Sequence, residues 1–165
     1  YTAYYEMYDN MNDWNYLGQH QVEYENTDIL MSPSVVAMAD LTLRPFVSAG
    51  NSFSSTYVSL NGKYVGRQYY DNTSSAERSI PSYFVADLSA GYELPLESLR
   101  HRHPEKNGGS VLTLSFHMKN LFNHMYYADA WLWRAYFQES DSYYNQIGLY
   151  PQAPINFMFK VGWRF

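Results

Sequence analysis

The chain has 165 residues and a formal charge of −5; 19% of its residues are aromatic, only 16% are charged, and none is cysteine. So little charge excludes a disordered acidic tail or a coiled coil, and the acidic balance argues against a nucleic-acid partner. Without cysteine there is no disulfide framework, CxxC zinc site or thiol nucleophile.

Residues 1–32 read as a tyrosine-rich loop, opening on Tyr1-Thr2-Ala3-Tyr4-Tyr5. That opening lacks the basic and apolar regions of a signal peptide, so the expectation is a removed leader or a start inside something larger. After Pro33, Val35, Ala37, Ala39, Leu41 and Leu43 alternate with Met38, Asp40, Thr42 and Arg44. From 53 to 70, Val58, Leu60 and Tyr64 oppose Ser59, Asn61, Lys63 and Arg67. From 83 to 94, Phe84, Ala86, Leu88, Ala90, Tyr92 and Leu94 oppose Val85, Asp87, Ser89, Gly91 and Glu93. From 111 to 122, Leu112, Leu114, Phe116 and Met118 oppose Thr113, Ser115, His117 and Lys119. The last run, 155–165, sets Ile155, Phe157, Phe159, Val161, Trp163 and Phe165 against Asn156, Met158, Lys160 and Arg164.

A period of two sustained this long predicts strands near 33–44, 53–70, 82–94, 111–122 and 154–165. No helical segment lies between them to support a parallel crossover, so an antiparallel meander without parallel pairs is expected. The strands exceed the ~5–6 residues of a globular strand and suit the roughly 9–11 of a tilted membrane strand. Nine Asp, Glu, Lys or Arg residues fall in these runs, all on the polar phase. Independent placement would give that about once in 500 times, so charge is forbidden on one face, as on the lipid face of a barrel. The longest apolar run, VVAMA at 35–39, is too short for a spanning helix.

The connections 1–32, 71–81 and 123–153 are larger and polar or aromatic; 45–52 and 95–110 are smaller, although 95–110 is long for a periplasmic turn. With the carboxyl end in the periplasm, the large ones become extracellular loops, as in outer-membrane barrels. Tyr64, Tyr70 and Phe84 then fall near outer ends, and Tyr92, Trp163 and Phe165 near inner ends, the places of two aromatic girdles. Five strands cannot close a barrel, which needs at least about eight. The expectation is therefore an all-β, antiparallel transmembrane β-barrel of which residues 1–165 are the C-terminal segment.

The runs NTDILMSPSVVAMADLTLRP, GKYVGRQYYDNTSSAERSIPSYFVADLSAGYEL, LTLSFHMKNLFNHMYYADAW and YPQAPINFMFKVGWRF carry a further signal. Over roughly 29–165 the chain resembles the end of a TonB-dependent outer-membrane receptor of Bacteroidetes type. The most specific elements are Asn120-Leu121-Phe122-Asn123, the Tyr69–Pro81 loop and the aromatic terminus ending in Phe165. His124 stands where a basic residue commonly follows that Asn-Leu-Phe-Asn run. The resemblance implies a monomeric barrel of about 22 strands in the cell outer membrane, with a plug domain that this chain lacks. It further implies import of a scarce nutrient, an iron–siderophore complex being the default, with energy from the TonB complex. The barrel-assembly machinery, lipid and lipopolysaccharide are implied partners, and no cofactor or metal is.

No catalytic set is evident, and an enzyme is not expected. Ser115 and His117 share a face, but i,i+2 neighbours point in parallel and lack an orienting acid. His101 and His103 sit among Arg100 and Arg102, which oppose a metal, so a solvated turn is the plainer reading. Asn72-Thr73-Ser74 fits N-x-S/T, too short a motif to carry weight. In the loop 124–152, Trp131, Trp133, Arg134, Tyr136, Tyr143 and Tyr144 suit a ring-bearing, sugar-like or anionic chelate ligand, or else pack to fold the loop. Trp131, Trp133, Arg134, Tyr143 and Tyr144 are the candidate substrate contacts. Lys63, Asp87 and Lys119 are expected to meet as a charge ladder on the lumen wall, with Lys63 level with residues 87–89. Phe159, Val161, Trp163 and Phe165 form the candidate outer-membrane assembly signal. Two other functions stay open: a passive porin without a plug, and a soluble aromatic-rich carbohydrate-binding module.

Overall fold

A computed structural model describes residues 1–46, 55–96 and 110–165. It is all-β, its sheets built mainly of antiparallel pairs. The strands are β1 (Thr2–Tyr8), β2 (Tyr16–Glu23), β3 (Val36–Leu43), β4 (Tyr57–Val65), β5 (Gln68–Tyr69), β6 (Ser79–Ile80), β7 (Tyr83–Pro95), β8 (Val111–Lys119), β9 (Tyr127–Phe137), β10 (Ser142–Pro151) and β11 (Asn156–Arg164). A 3-10 turn covers Ala76–Arg78. The chain divides into two units: Tyr1–Val36, Tyr64–Tyr83 and Met125–Gln152 in one, Ala37–Lys63, Phe84–His124 and Ala153–Phe165 in the other.

The second unit is the meander expected from the alternation, in the order β11-β8-β7-β4-β3. Pairing of β7 with β8 and of β8 with β11 is antiparallel. The other two joints run the same way. Thr42 and Ser59 share a hydroxyl hydrogen bond at 2.5 Å, and Asn61 donates to the Asp40 carboxylate. Just before β4, Ser55 donates to the Glu93 carbonyl at 2.6 Å, and on β4 the Tyr57 ring covers Gly91.

The register lines up apolar residues row by row. Phe157, Met118 and Leu88 form one row, Phe159, Phe116 and Ala90 the next, then Val161, Leu114 and Tyr92, then Trp163, Leu112 and Leu94. Because side chains alternate across a strand, all four rows lie on one face. That face is not buried. Phe159 is 79% exposed, Val161 70% and Trp163 67%, and among the described residues Ala86 is the only buried apolar side chain of this unit.

The first unit departs from expectation. The stretches read as loops, 1–32 and 124–152, contain four strands in the order β10-β9-β1-β2. Hairpins β1–β2 and β9–β10 are antiparallel, but β1 joins β9 in parallel through Glu6↔Ala135, Met7↔Tyr136 and Tyr8↔Phe137. This unit has a core: Tyr70, Ile80 and Ala130 with Met31, Tyr127 and Leu132, while Ala135 and Phe137 are fully buried. Around it the 71–78 loop stitches distant backbone together. Asn72 accepts from Leu30 N at 2.7 Å and donates to Thr2 O at 2.8 Å, and Arg78 pairs with Asp71 at 2.8 Å. The Asn72-Thr73-Ser74 run therefore serves as an organiser of folded backbone.

Candidate functional site: the aromatic sheet

In β9 the two tryptophans and the arginine of the candidate site lie in a regular strand. Neighbouring strand residues point to opposite faces, so Trp133 and Arg134 cannot share a surface. The structure thus splits the expected set. Trp131, Trp133 and Tyr144 project from one face, Arg134 and Tyr143 from the other.

On the Arg134 face, the guanidinium lies 4.0 Å from the centre of the Tyr143 ring and 5.7 Å from that of Tyr5. Tyr5, Tyr136 and Tyr143 meet with centroids 5.0–6.1 Å apart. The rings' negative faces hold the cation in place of a carboxylate. Burial, then the hydrogen bond with Tyr143, raises the Tyr5 hydroxyl above the usual tyrosine value. Tyr136 is raised too, because it donates to Asp141 at 2.8 Å.

On the other face the centre is Glu6, from β1. Its Oε2 accepts from Tyr8 OH at 2.7 Å and from Trp133 Nε1 at 3.1 Å. The bond to Glu6, followed by burial, pushes the Tyr8 hydroxyl up to about 12. Trp14 stacks on Trp133 with centroids 5.9 Å apart and planes within 18°, and Tyr144 meets both edge-on. Trp131 folds over Gly148, where a Cβ would come within 2.0 Å of its ring nitrogen. The density of tyrosine in 1–24 hints at this face in sequence; the pairing of β1 with β9, which assembles it, leaves no local signal.

Trp14 is presented by a tight loop. Its φ of 49° is in the left-handed region, which costs a bulky residue energy and requires support. The support is Asn10, whose Oδ1 accepts from the backbone N–H groups of Asn12 and Asp13, both at 2.9 Å.

In the second unit, Lys119 and Asp87 meet at 2.7 Å, as the ladder requires. Lys63 does not join them and makes no ion pair among the described residues. The contacts Ser55–Glu93 and Tyr57–Gly91 set a register in which Asn61, not Lys63, is level with Asp87. Ser115 Oγ and His117 Nε2 are 3.2 Å apart, with no carboxylate hydrogen-bonded to the ring among the described residues. The His101–His103 pair lies outside the described residues. Among those described, no three His, Cys, Asp or Glu side chains gather as a metal site.

The Asn-Leu-Phe-Asn run proves to be a clamp. Asn120, 3% exposed, accepts from His124 N at 2.9 Å and donates to His124 O at 2.9 Å and Ala153 O at 3.1 Å. Asn123 Oδ1 accepts from Ile155 N at 3.0 Å. The turn after β8 is thereby fastened to the start of β11. Searches of family models, curated proteins and solved structures find no match to the chain.

Proposed function

We propose that this chain is the C-terminal part of an outer-membrane β-barrel receptor that imports a nutrient with TonB-supplied energy. The observation that carries the membrane half of this reading is the meander's exposed face, with four apolar rows in register across β7, β8 and β11. Leaving a large apolar side chain in water forgoes about 1.5–3 kcal/mol each, so such a face needs a cover. Lipid provides one. Closure of the sheet by further strands, pairing with the outer strands β3 and β11, would satisfy the backbone groups that lipid cannot.

The opposite phase supports the same reading. Lys119, Asp87, Ser89, His117, Ser115, Lys160 and Glu93 would line a water-filled lumen. Phe165 is 92% exposed, and Phe159, Val161 and Trp163 before it on the apolar phase are also well exposed. A terminal stripe of that kind fits an assembly signal read by the barrel-assembly machinery. The importing half, with TonB and a scarce ligand, rests on the sequence resemblance.

The test is to fold the full-length receptor that contains this chain into vesicles and quench tryptophan emission with lipids brominated along the acyl chain. The contribution of Trp163, taken as the difference between the parent and Trp163→Phe, should be quenched. An unquenched Trp163, or a full-length receptor that stays in solution without detergent, would reject the membrane reading. In cells, uptake that survives collapse of the proton gradient would favour the passive porin.

A further inference from the structure

We propose that the Glu6 face of the first unit binds a small organic cation of the quaternary-ammonium class. Charge is the first observation. This unit holds eleven Asp and Glu against three Arg and no Lys, giving it −8 where the whole chain carries −5. Two of the three arginines are committed, Arg78 to Asp71 and Arg134 to its tyrosines. Residues 1–28 hold six carboxylates and no Lys or Arg, and none of the six is ion-paired among the described residues.

Geometry is the second. Glu6 Oε2 is fixed by two donors, Tyr8 OH and Trp133 Nε1, and Trp14 and Tyr144 pack on the Trp133 ring that holds it. A carboxylate beside aromatic faces is the arrangement that recognises alkylammonium groups, because ring quadrupole and charge attract the same ion. The sheet carries a version of this on its other face, where Tyr143 and Tyr5 hold Arg134. On the Glu6 face no Lys or Arg of the described residues plays that part. Trp14 is 44% exposed and Tyr144 42%, so the outer surfaces of these two rings, away from the Trp14–Trp133 stack, are open to a ligand. Trp14 is also held with a left-handed backbone, and strain of that kind collects at ligand clamps.

The inference concerns the first unit and stands apart from the membrane reading. The experiment uses the full chain folded in detergent and three probes of one shape: choline, neutral 3,3-dimethylbutan-1-ol and anionic 3,3-dimethylbutanoate. Tryptophan emission reports binding. Choline should bind about tenfold or more tighter than the alcohol, with 3,3-dimethylbutanoate weakest. Added salt should weaken choline alone. Glu6→Gln, which keeps both acceptor bonds, should abolish the preference, and Trp14→Ala should weaken choline severalfold. Equal binding of choline and the alcohol, preference for the anion, or no choline binding by the parent would each overturn the proposal. The Trp163 quenching result is unaffected by any of these outcomes, so the two readings fail separately.

Discussion

The Asn120 side chain donates to the carbonyl of Ala153, 33 positions further along the chain, at 3.1 Å. With its bonds to His124 and a φ of 54°, this one buried amide both sets a left-handed turn and ties β8 to the start of β11.

Asn120→Ala should therefore be costly twice over. It strands buried polar groups and places a Cβ residue without local compensation in the left-handed region, together about 2–4 kcal/mol. Asn120→Gly loses the bonds but relieves the backbone, and should be about 1 kcal/mol less damaging. Urea midpoints of the two variants check the order; alanine equal to or better than glycine would contradict the account.

Asp87 and Lys119 should prove unequal partners. Lys119 is half exposed, so its pair is worth at most about 1 kcal/mol. Asp87 also accepts from Asn120 N at 3.0 Å, and its loss leaves that donor unmet. Asp87→Ala is expected to lower the urea midpoint clearly more than Lys119→Ala, and a double-mutant cycle should return only the small pair energy.

Tyr8 should make the first unit sensitive to strong base. Its pKa lies at about 12 when folded, against an ordinary value of 10.0. The neutral hydroxyl is the form that folding favours. The stability it contributes is thus complete below pH 10 and is lost as the pH rises through 12. Absorbance titration at the phenolate band, parent minus Tyr8→Phe, should show a late-titrating tyrosine, and Glu6→Gln should bring its midpoint down.

Gly148 should tolerate alanine only if Trp131 yields. A Cβ there would meet the indole within 2.0–2.8 Å. Gly148→Ala is expected to destabilise the β9–β10 hairpin by about 1–3 kcal/mol, as overpacking does. Trp131→Ala in the same chain should cancel much of that increment. Additive losses in the double variant would show that the ring does not cover this glycine.

The sequence disclosed the meander because one phase of each strand is apolar and the other polar, as with Leu112, Leu114 and Phe116 against Thr113, Ser115 and His117. It concealed β9 because both faces of that strand are covered by rings. AWLWRAYF has no polar phase, and so reads as an aromatic loop. β1 is hidden for the same reason, by Tyr4, Tyr5 and Tyr8 crowded together. Trp133 and Arg134 group as sequence neighbours, but strand pleating sets them on opposite surfaces. Lys63 misses Asp87 by one step of polar phase because the β4–β7 register depends on contacts such as Ser55–Glu93, which composition does not encode.

The Glu6–Trp133 contact joins residues 127 positions apart, across a parallel pairing of β1 with β9. Loop closure of that span must precede any gain from the contact. During synthesis the ribosome makes β1 and β2 before β9, with β3 through β8 in between. The β1–β2 hairpin therefore waits, with its rings uncovered, until β9 and β10 exist. Under the proposed outer-membrane reading that delay would be useful, since a unit that cannot close before β9 and β10 exist would stay threadable until they have been made.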